Sequence, residues 1–141
     1  MARFIFRLEK VKRVRTIQES QKKSLWAQAQ NALNLEKQKL TNLKAVKTET
    51  LNYGYNQVDL SLRTAVYNYL AKLDRLIEAQ ELAVQKAAQA ETKARQIWLL
   101  ARQEKEKLER LEEKHYEEYV QEELRAEQKL LDDMKNNAAQ I

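Results

Sequence analysis

The sequence predicts an all-α protein, a long antiparallel two-helix coiled-coil hairpin whose C-terminal helix is the longer one. Three observations lead to this fold class. The 141 residues include one glycine, no proline and no cysteine, and 33% of them are charged, a composition typical of long helices and coiled coils. Apolar residues recur at heptad spacing. Turn-forming residues gather at one place, around Gly54. We therefore treat residues 1–141 as a single coiled-coil domain.

The first helix is predicted from about residue 6 to residue 50, and its apolar pattern is irregular. Its apolar positions are Phe4, Leu8, Val11, Val14, Ile17, Trp26, Ala29, Leu33, Leu40 and Leu43. Gln18, Gln21 and Glu36 interrupt this face. Because fewer apolar groups can be buried against a partner, we expect this helix to be less stable than the second.

The predicted reversal spans residues 51–60 and contains Asn52, Gly54, Asn56 and Asp59. Gly54 can adopt positive φ without a Cβ clash, and a left-handed residue there would end the first helix. Asp59 or Ser61 can cap the second helix, because their side-chain oxygens can accept the free N–H groups of its first turn.

The second helix is predicted from about residue 60 to residue 135, followed by a frayed tail, and its heptad pattern is regular. One row of residues falls seven apart: Val66, Leu73, Gln80, Ala87, Ala94, Ala101, Leu108 and His115. A second row lies three or four positions further on: Tyr69 or Leu70, Leu76 or Ile77, Ala83 or Val84, Ala90, Ile97 or Trp98, Leu111 and Tyr119. A sustained seven-residue repeat predicts a left-handed supercoil.

A reversal centred near residue 55 sets the expected pairing between the helices. Residue i then lies opposite residue 110 minus i, approximately. Leu40 is expected to meet Leu70, and Trp26 to lie near Ala83 and Ala87. Because the helices differ in length, about the last 30 residues of the second helix are expected to lack a partner within the chain.

The charges are distributed unevenly along the chain. Residues 1–50 contain 12 basic and 4 acidic side chains, whereas residues 102–141 contain 8 basic and 12 acidic ones. An antiparallel hairpin would bring the basic start alongside Glu104, Glu106 and Glu109. Exposed pairs contribute at most about 1 kcal/mol each, so we expect them to set orientation more than stability.

Composition argues against several classes of function. One glycine cannot form a phosphate-binding loop, and zero cysteines with one histidine leave no zinc ligand set. We expect no catalytic residue, no cofactor and no metal. The carboxylate pairs along the second helix, such as Glu118 and Glu122, have no shielded concave site. No apolar run reaches the roughly 18 residues of a membrane span, and no secretory signal is visible.

Tyrosines cluster around the reversal, at Tyr53, Tyr55, Tyr67 and Tyr69. Exposed aromatic side chains are candidate anchors for a partner. The alternative is that Tyr69 belongs to the seam and the other three close the end of the hairpin. The sequence alone favours neither interpretation.

Three segments resemble the FliJ family, the small coiled-coil components of the flagellar type III export apparatus. The segments are "FIFRLEKVKRVRTIQE", "LRTAVYNYLAKLDRLIEAQELAVQKA" and "EKLERLEEKHYEEYVQEELRAEQKLLDD". The resemblance implies a cytoplasmic antiparallel coiled coil, located at the cytoplasmic face of the inner membrane. It implies three partners: the export ATPase FliI as a hexameric ring, the export gate FlhA and the export chaperones. It implies no specific nucleic acid and only peripheral membrane association.

The resemblance also implies residues for the gate. On the second helix the family's pattern falls on Tyr69, Leu73, Leu76 and Gln80. On the first helix the corresponding positions are Leu43 and Val46, where the family has tyrosines. Because Leu73 and Leu76 also lie on the predicted seam, they are candidates for the core as well as for contact.

We expect the charged end of the hairpin to bind the ATPase ring. The candidates are Arg7, Lys10, Arg13, Glu113, Glu117 and Glu123. Three other functions stay open on the sequence: a counterpart from a virulence type III system, an unrelated coiled-coil scaffold, and a nucleic-acid-associated helical protein. The last would use the basic stretch "RLEKVKRVR", which the acidic end of the chain would neutralise.

Overall fold

The computed structural model describes residues 3–139 and contains two helices. Helix α1 runs Glu9–Tyr55 and helix α2 runs Leu60–Ala139. The two helices pack antiparallel, because Trp26 of α1 contacts Trp98 of α2 whereas Lys47, further along α1, pairs with Asp74, which is earlier on α2. No strand occurs in the described residues. The predicted all-α helical hairpin is therefore confirmed.

Contacts within the chain form two compact units, each made from a segment of α1 and a segment of α2. Within the described residues, one unit comprises 3–20 with 99–139 and the other comprises Gln21–Trp98. We call them the terminal unit and the central unit. That the whole chain is a single domain stays a prediction.

The reversal is shorter than predicted, and Gly54 does not end the first helix. Helix α1 continues to Tyr55, and no glycine or other described residue has positive φ. A Cβ added to Gly54 would lie 2.8 Å from Cγ1 of Val66 on α2. The glycine is therefore needed for close approach of the two helices, not for a left-handed turn. The amides of Asn56 and Gln57 bond to the carbonyls of Tyr53 and Gly54, which closes the last turn.

The start of α2 agrees with the prediction. The Oδ1 atom of Asp59 accepts the backbone N–H of Ser61 at 3.0 Å. The backbone N–H of Arg63 donates to the carbonyl of Asp59 at 3.0 Å. Asp59 is therefore the N-cap, which confirms one of the two predicted capping residues.

The predicted pairing between the helices is wrong by about ten residues. Gly54 faces Val66, Glu36 bonds to Gln80 and Lys47 pairs with Asp74. With the tryptophan pair included, the residue numbers of the partners in the central unit sum to between 116 and 124 instead of 110. Trp26 stacks on Trp98, with ring centroids 4.8 Å apart, instead of packing on Ala83 and Ala87. The longer α1 moves the reversal towards the C-terminus, and every pair shifts with it.

The seam of α1 in the terminal unit is charged rather than apolar. Val11, Val14 and Ile17, predicted to face the second helix, are exposed. The half-buried positions of this segment are Leu8, Glu9, Lys12, Arg15 and Glu19. Positions 8, 12, 15 and 19 repeat at heptad spacing, so they form the seam although three of the four carry charges. The apolar residues therefore form an outward face.

Few side chains are fully buried, as a two-helix seam requires. Among the described residues the buried apolar side chains are Phe6, 5% exposed, and Leu73, 2% exposed. The remaining seam residues are half-buried. Two helices can shield only one stripe of each other, so stability depends on many partial contacts instead of a central core.

A non-helical segment precedes α1 and packs back onto α2. Phe4 contacts Tyr116 and Tyr119, with ring centroids 5.3 and 5.4 Å away. Phe6 meets His115 edge to face at 5.8 Å. We call residues 3–8 the N-terminal strap. The strap covers α2 as far as Tyr119. The continuously exposed end of α2 is therefore residues 124–139, which is shorter than the predicted 30 residues.

Candidate partner-binding surfaces

The reversal exposes a cluster of aromatic and aliphatic side chains. All four tyrosines named above are exposed, as are Val58 and Leu60. Val58 is 95% exposed, so it contributes nothing to the packing of the helices. Val66 lies between two shallow grooves of about 410 and 180 Å³, one lined by Tyr53 and Tyr69 and the other by Tyr55 and Tyr67. Tyr69 is therefore a surface residue, and this end of the hairpin offers an apolar contact area.

The six residues assigned to the gate do not form one uniform surface. Val46, Tyr69 and Leu76 are exposed, whereas Leu43 and Gln80 are half-buried and Leu73 is buried. The Gln80 amide donates to the backbone carbonyl of Glu36 at 2.9 Å and to its carboxylate at 2.5 Å. The structure therefore leaves three of the six accessible to a partner and gives Leu73 and Gln80 structural contacts.

The central unit contains a pair of stacked tryptophans. The indole rings of Trp26 and Trp98 are nearly parallel, at 16°. The Trp26 Nε1–H donates to the Glu91 carboxylate at 2.8 Å, so the polar group of the half-buried ring is satisfied. Both tryptophans are half-buried, and the stacking and the hydrogen bond are contacts between the two helices of the hairpin.

In the terminal unit, opposite charges meet across the seam at other residues than predicted. Lys12 forms a close ion pair with Glu112, and Lys105 lies 3.9 Å from Glu19. Glu104 and Glu106, expected to face the basic start, pair with Lys107 and Arg102 on their own helix. The shift in pairing explains the difference, since it moves each acidic residue past its expected partner.

The Lys12 pair is electrostatically coupled. Its hydrogen bond to Glu112 raises the pKa of the Lys12 ammonium above the ordinary 10.5, and partial burial opposes this. Glu9 and Glu109 contribute further attraction. A half-buried cation with three carboxylates around it stays charged at neutral pH, so it holds the two helices together in this unit.

All six residues assigned to the ATPase ring lie in the terminal unit. Arg7, Lys10, Arg13, Glu113 and Glu117 are exposed, and Glu123 is half-buried. Arg13 lies 3.7 Å from Glu9. Glu113 lines a groove with Phe4, Lys12 and Tyr116. The residues are therefore at least partly accessible. The basic ones lie on the N-terminal strap and the start of α1, and the acidic ones lie on α2.

Sequence reasoning missed the apolar residues near these clusters. Val120, Leu124, Leu130, Leu131 and Met134 of α2 are exposed, in addition to Val11, Val14 and Ile17 of α1. A groove of about 550 Å³ runs along α2 between Tyr119 and Leu130. On both helices these apolar residues are spaced three or four apart in the sequence. On α1 this spacing was interpreted as part of the seam, and on α2 it was overlooked.

Two negative findings apply to residues 3–139. None of their helices has a stretch that is both long enough and apolar enough to span a membrane. Nor do their His, Asp and Glu side chains gather in groups of three or more that could bind a metal ion.

Comparison with known proteins gives one family and one fold. A family model described as flagellar FliJ protein matches residues 4–140. A solved structure described as a YscO homologue, from Chlamydia trachomatis, superposes with a TM-score of 0.72 at 20% identity. The superposition covers 99% of this chain and 96% of the other. A search of curated proteins finds no match. At 20% identity the structural likeness concerns the fold alone.

Proposed function

Because the chain belongs to the FliJ family of type III export coiled-coil proteins, we propose that it acts as a non-enzymatic stalk of the export apparatus. In this proposal the terminal unit binds the export ATPase ring FliI and promotes its assembly, and the reversal end binds the gate FlhA. Export chaperones are further partners. The proposed site of action is the cytoplasmic face of the inner membrane.

The observation that supports this proposal is the chemical difference between the two units. The terminal unit exposes basic residues on α1 and acidic residues on α2. The region of the reversal exposes tyrosines and aliphatic side chains. A stalk that turns or shifts inside a ring needs contacts that are weak and easily exchanged, and exposed charge pairs have this property. An apolar cluster suits a longer-lived contact.

The first prediction concerns the ring. Removing the residues after Leu111 deletes the acidic end of α2, and we expect it to abolish stimulation of FliI assembly while gate binding is kept. Assembly is measured by sedimentation of FliI with the purified chain. Retained stimulation would reject this division of roles.

Because that truncation also removes Glu112 and the residues that contact the strap, a milder variant is needed. Neutralising Glu113, Glu117 and Glu123 to Gln keeps the helix and should reduce stimulation several-fold at low salt. Neutralising Glu118 and Glu122 to Gln, on the exposed surface of the same helix, is the control, and its effect is compared per charge removed. An equal effect of both variants would mean that only net charge matters.

The second prediction concerns the gate. Tyr69→Ala combined with Leu76→Ala removes two exposed side chains, so we expect gate binding to weaken by about tenfold or more with little change in stability. Leu73→Ala removes a buried side chain, so we expect a loss of stability of about 2–4 kcal/mol. Binding to FlhA by calorimetry, with thermal unfolding alongside, separates the two effects. Unchanged gate affinity in the double variant would show that the gate binds elsewhere.

A further inference from the structure

The exposed end of α2 carries an acidic apolar face. It comprises Val120, Glu123, Leu124, Glu127, Leu130 and Leu131, which lie within one third of the helix circumference. All of them except half-buried Glu123 are exposed. Neither glutamate has an ion-pair partner within the part of the chain that the structure describes. We call this the acidic face.

The start of α1 carries the complementary surface. Val11, Val14 and Ile17 are exposed, and Lys10 and Arg13 lie beside them, each four residues before an apolar member. Glu9, which is 3.7 Å from Arg13, is the nearby carboxylate. We call Lys10, Val11, Arg13, Val14 and Ile17 the basic face.

The acidic face continues a surface that already binds a basic apolar segment. Phe4 of the strap packs on Tyr116 and Tyr119, one to four residues before Val120, and Arg3 and Arg7 flank the phenylalanines. Further along the same helix, residues 124–139 are exposed. A segment with apolar side chains beside cations is therefore the chemistry that this part of α2 accepts.

We propose that a second copy of the chain supplies this segment, so that the acidic face of each copy packs on the basic face of the other. Such an antiparallel pair is isologous, so the contact between an acidic and a basic face forms twice, once on each side of the two-fold axis. Pairing two acidic faces is disfavoured, because Glu123 and Glu127 of one copy would meet those of the other, and like charges in a shielded contact repel.

The proposal does not rest on the function proposed above, since it concerns the purified chain alone. It has a consequence for that function. Lys10, Arg13 and Glu123 belong both to these faces and to the residues assigned to the ring, so the second copy and the ring would compete for them. Measuring self-association without FliI keeps the two questions separate.

The experiment is sedimentation velocity of the full chain over a concentration series from about 5 to 300 μM, at low and high salt. We expect reversible dimers that weaken with salt. Glu123→Lys with Glu127→Lys should weaken the dimer at least about tenfold, and so should Lys10→Glu with Arg13→Glu. Circular dichroism checks that the variants keep their helices.

Mixing the two double variants is the decisive measurement. In the mixed pair both contacts again join an acidic and a basic face, so we expect a heterodimer although each variant alone is monomeric. Glu118→Lys with Glu122→Lys makes the same charge change on the opposite side of α2 and should keep the dimer. A wild-type chain that stays monomeric at the highest concentration, an equal loss in the opposite-side variant, or a failed rescue would each overturn the proposal.

Discussion

At Gly54 the two helices approach so closely that a methyl group does not fit. The position is helical and its φ is negative, so alanine would be compatible with the backbone. The conflict is steric, since the added Cβ would lie 2.8 Å from Cγ1 of Val66. Valine is stiff in a helix and cannot easily turn away.

We predict that Gly54→Ala lowers the free energy of unfolding by about 1 kcal/mol. Overpacking costs about 1–3 kcal/mol, and the better helix preference of alanine returns up to about 1 kcal/mol. Adding Val66→Ala should remove the clash, so the two changes should be strongly non-additive in denaturant unfolding. If Gly54→Ala alone were more stable than wild type, the two helices would have to move apart at this position without loss of stability.

Lys12 is the residue that links stability to high pH. Its pKa is raised above 10.5 in the folded chain, mainly by the hydrogen bond to Glu112. A raised pKa means that the charged form stabilises the fold. The contribution is fully present below the unfolded pKa and is lost as the pH rises through the folded value.

We predict that Lys12→Met lowers the free energy of unfolding by about 1 kcal/mol at pH 7, since the pair is only partly shielded. The difference from wild type should be smaller at a pH above the raised folded pKa of Lys12, where the lysine has lost its proton. Urea unfolding at both pH values measures it. Lys10→Met, an exposed lysine two residues away, is the control. A difference that does not change with pH would point to packing by the lysine stem instead.

Between the two helices, a polar layer formed by Glu36 and Gln80 interrupts the seam of the central unit. The Gln80 amide donates to both the backbone carbonyl and the carboxylate of Glu36. A slip of one heptad would leave these half-buried groups without each other. Polar layers of this kind fix the register of coiled coils at some cost in stability.

We predict that Gln80→Glu costs about 1–3 kcal/mol at neutral pH, because it replaces the donor by a second carboxylate. Gln80→Lys should stay within about 0.5 kcal/mol of wild type, since it provides a cationic donor to Glu36. Thermal unfolding of the two variants measures the contrast. Equal losses of stability in the two variants would show that the shape of the Gln80 side chain, and not its hydrogen bonding, determines its contribution to stability.

The face of α2 that meets its partner helix could be predicted from the sequence, whereas the corresponding face at the start of α1 could not. The row of α2 residues predicted to fall seven apart on the seam, from Val66 to His115, is buried or half-buried, as the pattern indicated, whereas Ala90 of the second row is exposed. On α1, Val11, Val14 and Ile17 satisfy the same spacing but face outward, and Lys12 and Glu19 occupy the seam instead. Apolar periodicity identifies an amphipathic helix but not which side meets the partner when opposite charges can pair there.

For the whole molecule, composition and one cluster of turn residues were sufficient for the fold class. The pairing was not predictable, because it depends on the residue at which α1 ends, and Gly54 proved to be a packing residue and not a turn. The candidate surfaces were partly predictable. The tyrosine cluster near the reversal was predicted from the sequence. The exposed apolar residues at the end of α2 were not, because no second segment of the chain with a matching pattern indicated a contact there.

The strap also sets the order in which the newly made chain can mature. His115 leaves the ribosome about 110 residues after Phe6, which at 5–20 residues per second takes roughly 5–20 s. Until then the two phenylalanines have no ring to pack on. During translation, Phe4 and Phe6 are therefore exposed apolar side chains for that interval, which a chaperone could cover.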